Sequence, residues 1–232
     1  MRIDILTLFP ESLRAALSES VCARAQERGL VQVVVTDIRS FATDKHRTAD
    51  DTPYGGGGGM VLLADVVAKA VEAVKSERSV NLVLDAAGAQ YTQEWAKRLS
   101  LADHIVLVCG HYKGVDERVV DDLGLVPVSI GDYVLTGGEP AAWVVADSVV
   151  RLIPGVLGDF ESAQGDSFFD DGLLGPAVYS RPAEWRGHAV PPELVSGDHG
   201  AVDRWRRRSS EERTRTRRPD LWQSARVQDG LE

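Results

Sequence analysis

The stretch Ile105–Gly114, IVLVCGHYKG, predicts the fold more directly than any other part of the sequence. Its first five residues form an unbroken apolar run, which is typical of a strand that is covered on both faces of a parallel sheet. Glycines, an aromatic ring and a charged side chain follow at once. A buried strand that ends in such a loop predicts an α/β protein with a ligand-binding edge at the carboxyl ends of its strands.

Strand and helix patterns alternate through the first two-thirds of the chain. The other predicted strands are Ile3–Phe9, Val31–Ile38, Val80–Leu84 and Val126–Ile130. The predicted helices are Ser12–Arg28, a stripe over Val66–Val74, Thr92–Leu101, Glu117–Leu123 and a helix from Pro140 to about Ile153. This alternation predicts a parallel-type α/β sheet.

The composition changes at Gly158. Residues 159–175 mix acidic side chains with Gly, Ser and Gln, which predicts a flexible interdomain linker. Prolines then precede an amphipathic helix that begins near Asp198. The sequence therefore predicts an α/β domain over residues 1–158, a linker over 159–175 and a small helical domain over 176–232.

The charge is distributed unevenly. The net charge is −9, yet eight arginines and three acids give Ala201–Arg218 a charge of +5. Guanidinium groups suit phosphate binding, so this segment is either a nucleic-acid-binding arm or a solvated helix, and composition leaves both open. Two cysteines, no secretion signal and no run of about 18 apolar residues lead us to expect a cytoplasmic protein with no membrane partner.

Two loops after neighbouring predicted strands suggest a nucleoside-sized cleft. Cys109–Arg118 and Ser129–Glu139 both combine glycines, which allow close backbone approach, with apolar and aromatic walls. Taken alone, each is equally an ordinary strand-to-helix turn. The run Gly55–Gly59 is either a ligand loop or a flexible turn, since it lacks the Lys-Ser or Lys-Thr pair of a phosphate-binding loop.

Other site classes find no support in the sequence. The five histidines have no partner at zinc-ligand spacing, so no metal site is predicted. The dinucleotide-binding pattern G-x-G-x-x-G and the nucleophile pattern G-x-S-x-G are also missing from the sequence.

Several of these segments, taken in order, resemble the bacterial tRNA (guanine-N1) methyltransferases, and the resemblance covers essentially the whole chain. The segments are Pro53–Gly57, Gly59–Val61, Cys109–Gly110, Asp116–Val119, Ser129–Leu135, Arg151–Gly158, Asp166–Phe168, Tyr179–Pro182 and Val190–His199. The chain departs from the family pattern at three places. Lys113 stands where the family usually has Glu, Gly165 replaces an acid, and Pro140 lies one position before the place where the family often has proline.

The resemblance implies a SPOUT-type α/β sheet with a C-terminal trefoil knot, plus a small helical C-terminal domain. It implies a homodimer whose active site is built from both subunits and S-adenosylmethionine as methyl donor. Carried over residue by residue, the donor contacts are Leu84, Gly110, Tyr112, Ile130, Gly131, Asp132, Tyr133, Val134, Leu135, Gly137 and Gly138.

The resemblance also implies the reaction, which is methylation of N1 of the guanosine at position 37, beside the anticodon of tRNA. Asp166 matches the general base and Arg151 the arginine that assists it, with a magnesium ion as the other candidate for stabilising the charge on O6. The anticodon arm would be held by arginines of the C-terminal domain, which are Arg204, Arg206, Arg207, Arg208 and Arg215.

Two alternative functions remain open from the sequence. One is a SPOUT methyltransferase acting on another RNA, for example on ribose. The other is an RNA-binding module without catalytic activity, in which Asp166 is one solvated acid among several in a linker.

Overall fold

A parallel five-stranded sheet organises the residues up to Gly158 in the computed structural model of the chain. The strands of this part are β1 (Arg2–Thr7), β2 (Gln32–Asp37), β3 (Asp50–Asp51), β4 (Val61–Leu62), β5 (Ser79–Gln90), β6 (His104–Cys109) and β7 (Val126–Ser129). The sheet order is β2-β1-β6-β5-β7, while β3 and β4 form a separate antiparallel pair. The predicted α/β class and parallel sheet are confirmed.

The structure describes residues 1–158, 165–169 and 171–228. The chain divides after Gly158 into two compact units. Of the predicted linker, residues 159–164 and 170 lie outside the described residues. No helix in the described ranges combines the length and the apolarity needed to cross a bilayer.

Helices cover both faces of the sheet. They are α1 (Pro10–Leu17), α2 (Ser20–Glu27), α3 (Ala64–Val74), α4 (Gln93–Ser100), α5 (Glu117–Leu123) and α6 (Glu139–Val150), with a 3-10 turn at Ile38–Phe41. Every residue of β6 is buried. Because side chains alternate along a strand, Ile105 and Leu107 pack with α1, α2, α4 and α6, while Val106 and Val108 pack with α3 and α5.

The single helix predicted over Ser12–Arg28 is wrong, since the chain forms α1 and α2 with a break between them. Ser20 has a φ of 55°, which a continuous helix does not allow. The Ser18 hydroxyl donates to the carbonyl of Ala15 (3.0 Å), and the Gln26 side chain donates to the carbonyl of Leu17 (2.9 Å). Side-chain bonds of this kind compete with the helix ladder and end it here.

Strand β5 continues well beyond its predicted end at Leu84. Leu84 and Ala89 both pair with Val128 of β7, so the chain between them bulges out of register and returns to the same strand. The return brings Gly88 so close to β7 that a Cβ added to this glycine would lie 2.3 Å from the backbone nitrogen of Val128. The trefoil knot implied by the family resemblance stays a prediction.

A buried carboxylate anchors the first strand to the centre of the sheet. Asp4 is 0% exposed and accepts bonds from Arg2 Nε (2.5 Å) and Nη2 (2.8 Å) and lies 2.8 Å from Nε2 of His104. His104 Nδ1 lies 3.0 Å from the Ser76 hydroxyl. The carboxylate thus ties β1 to the start of β6.

Replacing Asp4 by Ala is expected to lower the free energy of unfolding by about 3 kcal/mol, because His104 Nε2 loses its partner in a buried position. Urea denaturation of both proteins measures the difference. Arg2→Ala is the control, since the Arg2 side chain is 44% exposed and its loss leaves the Asp4–His104 contact in place. A loss below about 1 kcal/mol for Asp4→Ala would contradict the assignment.

The second unit is built around one long helix. Its elements are the antiparallel pair β8 (Glu184–Trp185) and β9 (His188–Ala189), a 3-10 turn at Pro192–Val195, α7 (His199–Arg217) and α8 (Pro219–Gln228). The predicted helix start is confirmed, since the Asp198 side chain caps α7 by accepting from the N–H of Ala201 (3.1 Å).

Candidate active site

A cleft in the first unit opens beside the bulge of β5, where β6 and β7 end, and its cavity volume is about 200 Å³. Three segments line it: the first part of the β5 bulge, the loop that follows β6, and the end of β7 with the loop that follows it. The lining residues are Leu84, Asp85, Ala86, Gly110, His111, Tyr112, Lys113, Gly114, Val128, Ser129, Ile130, Gly131, Tyr133, Val134, Leu135, Thr136, Gly137, Gly138 and Ala141. The carboxyl edge of a parallel sheet is where α/β proteins bind ligands.

The cleft gathers nearly all of the residues predicted to contact the methyl donor. Ten of the eleven line it, and only Asp132, which is exposed, does not. This arrangement places them together without showing a bound donor, so their donor contacts remain a prediction.

Two consecutive glycines hold the third segment against the end of β6. The Gly138 N–H donates to the carbonyl of Gly110 (2.8 Å), and a Cβ at Gly138 would lie 2.8 Å from the Cα of Cys109. His111 and Gly137 form an isolated antiparallel bridge. Glycine is therefore required for the backbones to approach closely enough to form the floor of the cleft.

The outer wall of the cleft is an apolar loop exposed to solvent. Gly131 has a φ of 151°, a conformation that favours glycine, and the Tyr133 hydroxyl donates to the carbonyl of Ile130 (3.2 Å). Val134 is 95% exposed. The exposed apolar surface of this loop is available to a ligand or to another chain.

A polar cluster of Thr7, Glu139 and the cleft residue His111 was not predicted from the sequence. The Thr7 hydroxyl donates to the Glu139 carboxylate (2.5 Å), and a Cβ at Gly137 would lie 2.3 Å from Glu139 Oε2 and 2.5 Å from His111 Nδ1. That His111 nitrogen is buried and has no hydrogen-bond partner among the described residues. The sequence gives no signal for this cluster, because Thr7 and Glu139 are 132 residues apart.

Cys109 ends β6 beside this cluster but is not a nucleophile. Burial raises the pKa of the Cys109 thiol well above its ordinary value, and the negative charge of Glu139 raises it further. The reactive form of cysteine is the thiolate, so a thiol held protonated argues against covalent catalysis at this residue.

The end of the glycine run reaches the edge of the cleft. The Lys113 N–H donates to the carbonyl of Met60 (2.9 Å), and the Leu62 N–H donates to the carbonyl of Gly114 (3.0 Å). The Lys113 side chain passes Gly59, where an added Cβ would lie 3.2 Å from its Cε. The departure at Lys113 therefore puts a cationic side chain where Gly59 and the cleft meet.

The next helix begins with an ion pair. Asp116 accepts from the backbone N–H (3.0 Å), Nε (2.9 Å) and Nη2 (2.6 Å) of Arg118. These bonds lower the pKa of Asp116 below its ordinary value. Asp116 is thus an ionised helix cap rather than a proton donor.

The two predicted catalytic residues belong to different units. Arg151 is half-buried and follows the last turn of α6, with its backbone N–H bonded to the carbonyl of Asp147 (3.2 Å). Asp166 is exposed in the second unit. Next to it, the Ser167 hydroxyl accepts from the N–H of Gly175 (2.9 Å) and the Phe168 N–H donates to the carbonyl of Leu173 (2.7 Å).

The five predicted tRNA-binding arginines all lie on α7 and are exposed. Three of them pair with acids of their own unit: Arg206 with Asp203 (3.6 Å), Arg207 with Glu211 (3.1 Å) and Arg208 with Glu193 (3.1 Å). Among the described residues, Arg204 and Arg215 form no such pair. These two carry the charge that is most available to a phosphate.

No group of three or more His, Cys, Asp or Glu side chains suited to a metal ion occurs within residues 1–158, 165–169 and 171–228. The magnesium ion considered above as the alternative to Arg151 stays a prediction.

Comparison with known proteins gives a consistent result. A family model described as tRNA (guanine-1)-methyltransferase TrmD matches residues 1–224. The chain is 50% identical to a tRNA (guanine-N(1)-)-methyltransferase of Brevibacillus brevis, over 100% of this chain and 95% of that protein. It is 52% identical to the protein of that name from Chloroflexus aurantiacus, over 95% of this chain and 88% of that protein. It is 48% identical to the protein of that name from Micrococcus luteus, over 96% of this chain and 97% of that protein.

Proposed function

Because this chain belongs to the tRNA (guanine-1)-methyltransferase family, we propose that it transfers a methyl group from S-adenosylmethionine to N1 of guanosine 37 in tRNA. The observation that carries this proposal is the match over residues 1–224, which includes the whole cleft formed by the bulge of β5 and the ends of β6 and β7. A cleft with apolar walls and glycine-lined backbone suits a nucleoside-bearing donor.

The chemistry of the cleft residues supports binding of the methyl donor. Leu84, Ile130 and Leu135 supply apolar surface for an adenine ring, and the close backbone at Gly110 and Gly138 leaves peptide groups near the ligand. When bound, the donor supplies an electrophilic methyl group on a sulfonium. The chain's own task is to orient that group toward N1 and to keep water away.

We assign the proton transfer to Asp166. Guanine N1 carries a proton and is a poor nucleophile, so the Asp166 carboxylate takes that proton as the new bond from N1 to the methyl carbon forms. The carbon–sulfur bond breaks, its electron pair stays on sulfur, and S-adenosylhomocysteine leaves with N1-methylguanosine. Negative charge that develops on O6 is stabilised by the guanidinium of Arg151.

Substrate binding and assembly follow from the same assignment. We propose that the exposed arginines of α7 hold the anticodon arm of tRNA, since exposed guanidinium groups bind phosphates well. We also propose a homodimer that completes the active site from both subunits. Exposed Trp143 (48%) and Val144 (44%) on α6 support it, as does the exposed apolar loop at Val134. The proposed location is the cytoplasm, where tRNA is found.

The test is transfer of labelled methyl from S-adenosylmethionine to bulk tRNA, followed by digestion to nucleosides. Label in N1-methylguanosine supports the proposal, and loss of label when guanosine 37 is replaced by adenosine supports the position. Label in a ribose-methylated nucleoside would instead favour another RNA methyltransferase. No transfer at all would favour an RNA-binding module without catalytic activity.

Binding of tRNA is expected to weaken steeply as salt is added, because phosphate contacts release counterions. Arg204→Ala and Arg215→Ala should each lower the affinity and reduce the slope of log affinity against log salt by about one. Fluorescence anisotropy with labelled tRNA at several salt concentrations measures both quantities.

Arg78→Ala is the matched control for this series. Arg78 is an exposed arginine of the first unit, 3.7 Å from Asp103, and is not predicted to contact tRNA. A flat salt response of the unaltered protein, or slopes for Arg204→Ala and Arg215→Ala equal to that of Arg78→Ala, would contradict the role of α7.

A further inference from the structure

A second pocket lies within the second unit, on the side of α7 that faces Tyr179. Six of its residues carry the argument, and we call their site the α7 pocket: Tyr179, Glu193, Trp205, Arg208, Glu212 and Arg213. Neither the predicted arginine set nor the family resemblance assigned a role to Tyr179, Trp205 or Arg213. The pocket therefore needs an explanation of its own.

The pocket is built by two adjacent rows of the helix. Trp205, Ser209, Arg213 and Arg217 follow one another at four-residue intervals, and Arg208, Glu212 and Thr216 form the neighbouring row. Residues four apart lie on the same face of a helix. The regular spacing puts an aromatic ring and cationic groups on one surface.

The chain before Tyr179 is fixed along α7 by hydrogen bonds to its small side chains. The N–H of Leu174 donates to the Thr214 hydroxyl (2.9 Å), and its carbonyl accepts from the Ser210 hydroxyl (2.5 Å). The N–H of Ala177 donates to the Ser209 hydroxyl (3.0 Å). These bonds hold residues 174–177 against α7, just before Tyr179 contacts Trp205.

Two aromatic rings form one wall of the pocket. The ring centroids of Tyr179 and Trp205 are 6.0 Å apart, with an interplanar angle of 61°. Tyr179 is 50% exposed, so part of its side chain is available to a further ring. Unpaired bases of RNA stack on aromatic side chains in this way.

Charged groups of both signs complete the pocket. Arg213 lines the pocket, and its Nε is buried without a hydrogen-bond partner among the described residues. Arg208 is paired with Glu193 (3.1 Å), and Glu212 adds a second carboxylate. Guanidinium groups donate to phosphate and base oxygens, and carboxylates accept from base amino groups.

We propose that the α7 pocket binds an unpaired nucleotide of the tRNA, with the base stacked on Tyr179 and the phosphate held by Arg213. The proposal rests on tRNA being the substrate, as set out above. The proposed pocket supplements the tRNA-binding arginines of α7 with an aromatic site. Duplex RNA does not occupy this site, because its paired bases stay stacked within the duplex.

The test compares Tyr179→Ala, Tyr179→Phe and Arg213→Gln in the full chain, with Trp185→Ala as control. Trp185 is an exposed aromatic of the same unit that contacts Arg186 and does not line the pocket. Tyr179→Ala should raise the dissociation constant for tRNA about tenfold, while Tyr179→Phe keeps the ring and stays within about twofold. Trp185→Ala should bind as the unaltered protein does.

Three further readouts separate this role from a structural one. Tyr179→Ala should leave the salt slope and the methylation rate at saturating tRNA unchanged, whereas Arg213→Gln should reduce the slope by about one. Tyr179→Ala should not weaken binding of a fully paired RNA duplex. Thermal denaturation identifies any variant that fails to fold. If Tyr179→Ala does not fold, Tyr179→Phe still tests whether tRNA binding depends on the aromatic ring or on the hydroxyl group.

Several outcomes would overturn the proposal. One is that Tyr179→Ala binds tRNA with unchanged affinity. Another is that Tyr179→Ala loses as much affinity for duplex RNA as it loses for tRNA. A change in sedimentation without a change in tRNA affinity would show a protein contact instead. If the unaltered protein transfers no methyl group, the proposed function fails separately, because these binding measurements need no methyl donor.

Discussion

Replacing Asp166 by Asn is expected to slow methyl transfer in a single turnover by about 10²- to 10⁴-fold while leaving donor affinity unchanged. The amide cannot take the N1 proton, but it keeps the size and polarity of the carboxylate. Asp166 is exposed in the second unit, whereas the residues proposed to hold the donor line the cleft of the first. Rapid-quench measurement with saturating enzyme gives the rate, and isothermal titration gives donor affinity.

Asp171→Asn is the control for the Asp166 variant. Asp171 is an acid of the same segment, and its carboxylate accepts from the N–H of Leu173 (3.1 Å), a bond that an asparagine oxygen can also accept. The rate of methyl transfer by Asp171→Asn should stay within about threefold of the rate of the unaltered protein, as expected for a conservative change away from the reacting atoms. A near-normal rate for Asp166→Asn would eliminate the base assignment.

Local patterns in the sequence were sufficient to predict the sheet. The apolar run Ile105–Cys109 corresponds to a fully buried central strand, and each of the other four predicted strands belongs to the same parallel sheet. These strands were predictable because burial on both faces requires continuous apolar residues. The helix break at Ser18 was missed because it depends on side-chain hydrogen bonds that apolar periodicity does not report.

The cleft was predictable in outline because its walls are loops that follow neighbouring strands. Gly110 and Gly138 could be named from the family resemblance, but the reason for glycine at Gly138 is its closeness to Cys109, which only the folded chain shows. The cluster of Thr7, His111 and Glu139 joins β1 to the start of α6 across the sheet. No local pattern contains such a contact, since it depends on the order of strands.

The shape of the cleft depends on glycines that differ in what surrounds them. Gly55, Gly56 and Gly57 have positive φ values and open space around them, so they provide backbone freedom. Gly88 and Gly138 have no such space, because neighbouring backbone atoms occupy the position that a Cβ atom would take. The conspicuous run of glycines is therefore less sensitive to added volume than the isolated Gly88.

Replacing Gly88 by Ala is expected to lower the free energy of unfolding by more than about 4 kcal/mol, enough to unfold a marginally stable domain. An added methyl group would lie 2.3 Å from Val128 N, 2.4 Å from Pro127 C and 2.6 Å from Pro127 O. These are backbone atoms of β7, which cannot rotate away as a side chain can. Relief requires β5 and β7 to separate, and both strands contribute residues to the cleft.

Gly58→Ala provides the matched control, since a Cβ there meets nothing within 4 Å and the residue does not have a positive φ. It should leave stability unchanged or raise it by up to about 1 kcal/mol, because alanine restricts the unfolded chain. Urea denaturation followed by circular dichroism compares the two variants with the unaltered protein. A midpoint for Gly88→Ala equal to that of Gly58→Ala would show that β7 accommodates the methyl group. The return of β5 onto β7 would then not be the tight contact that shapes the cleft.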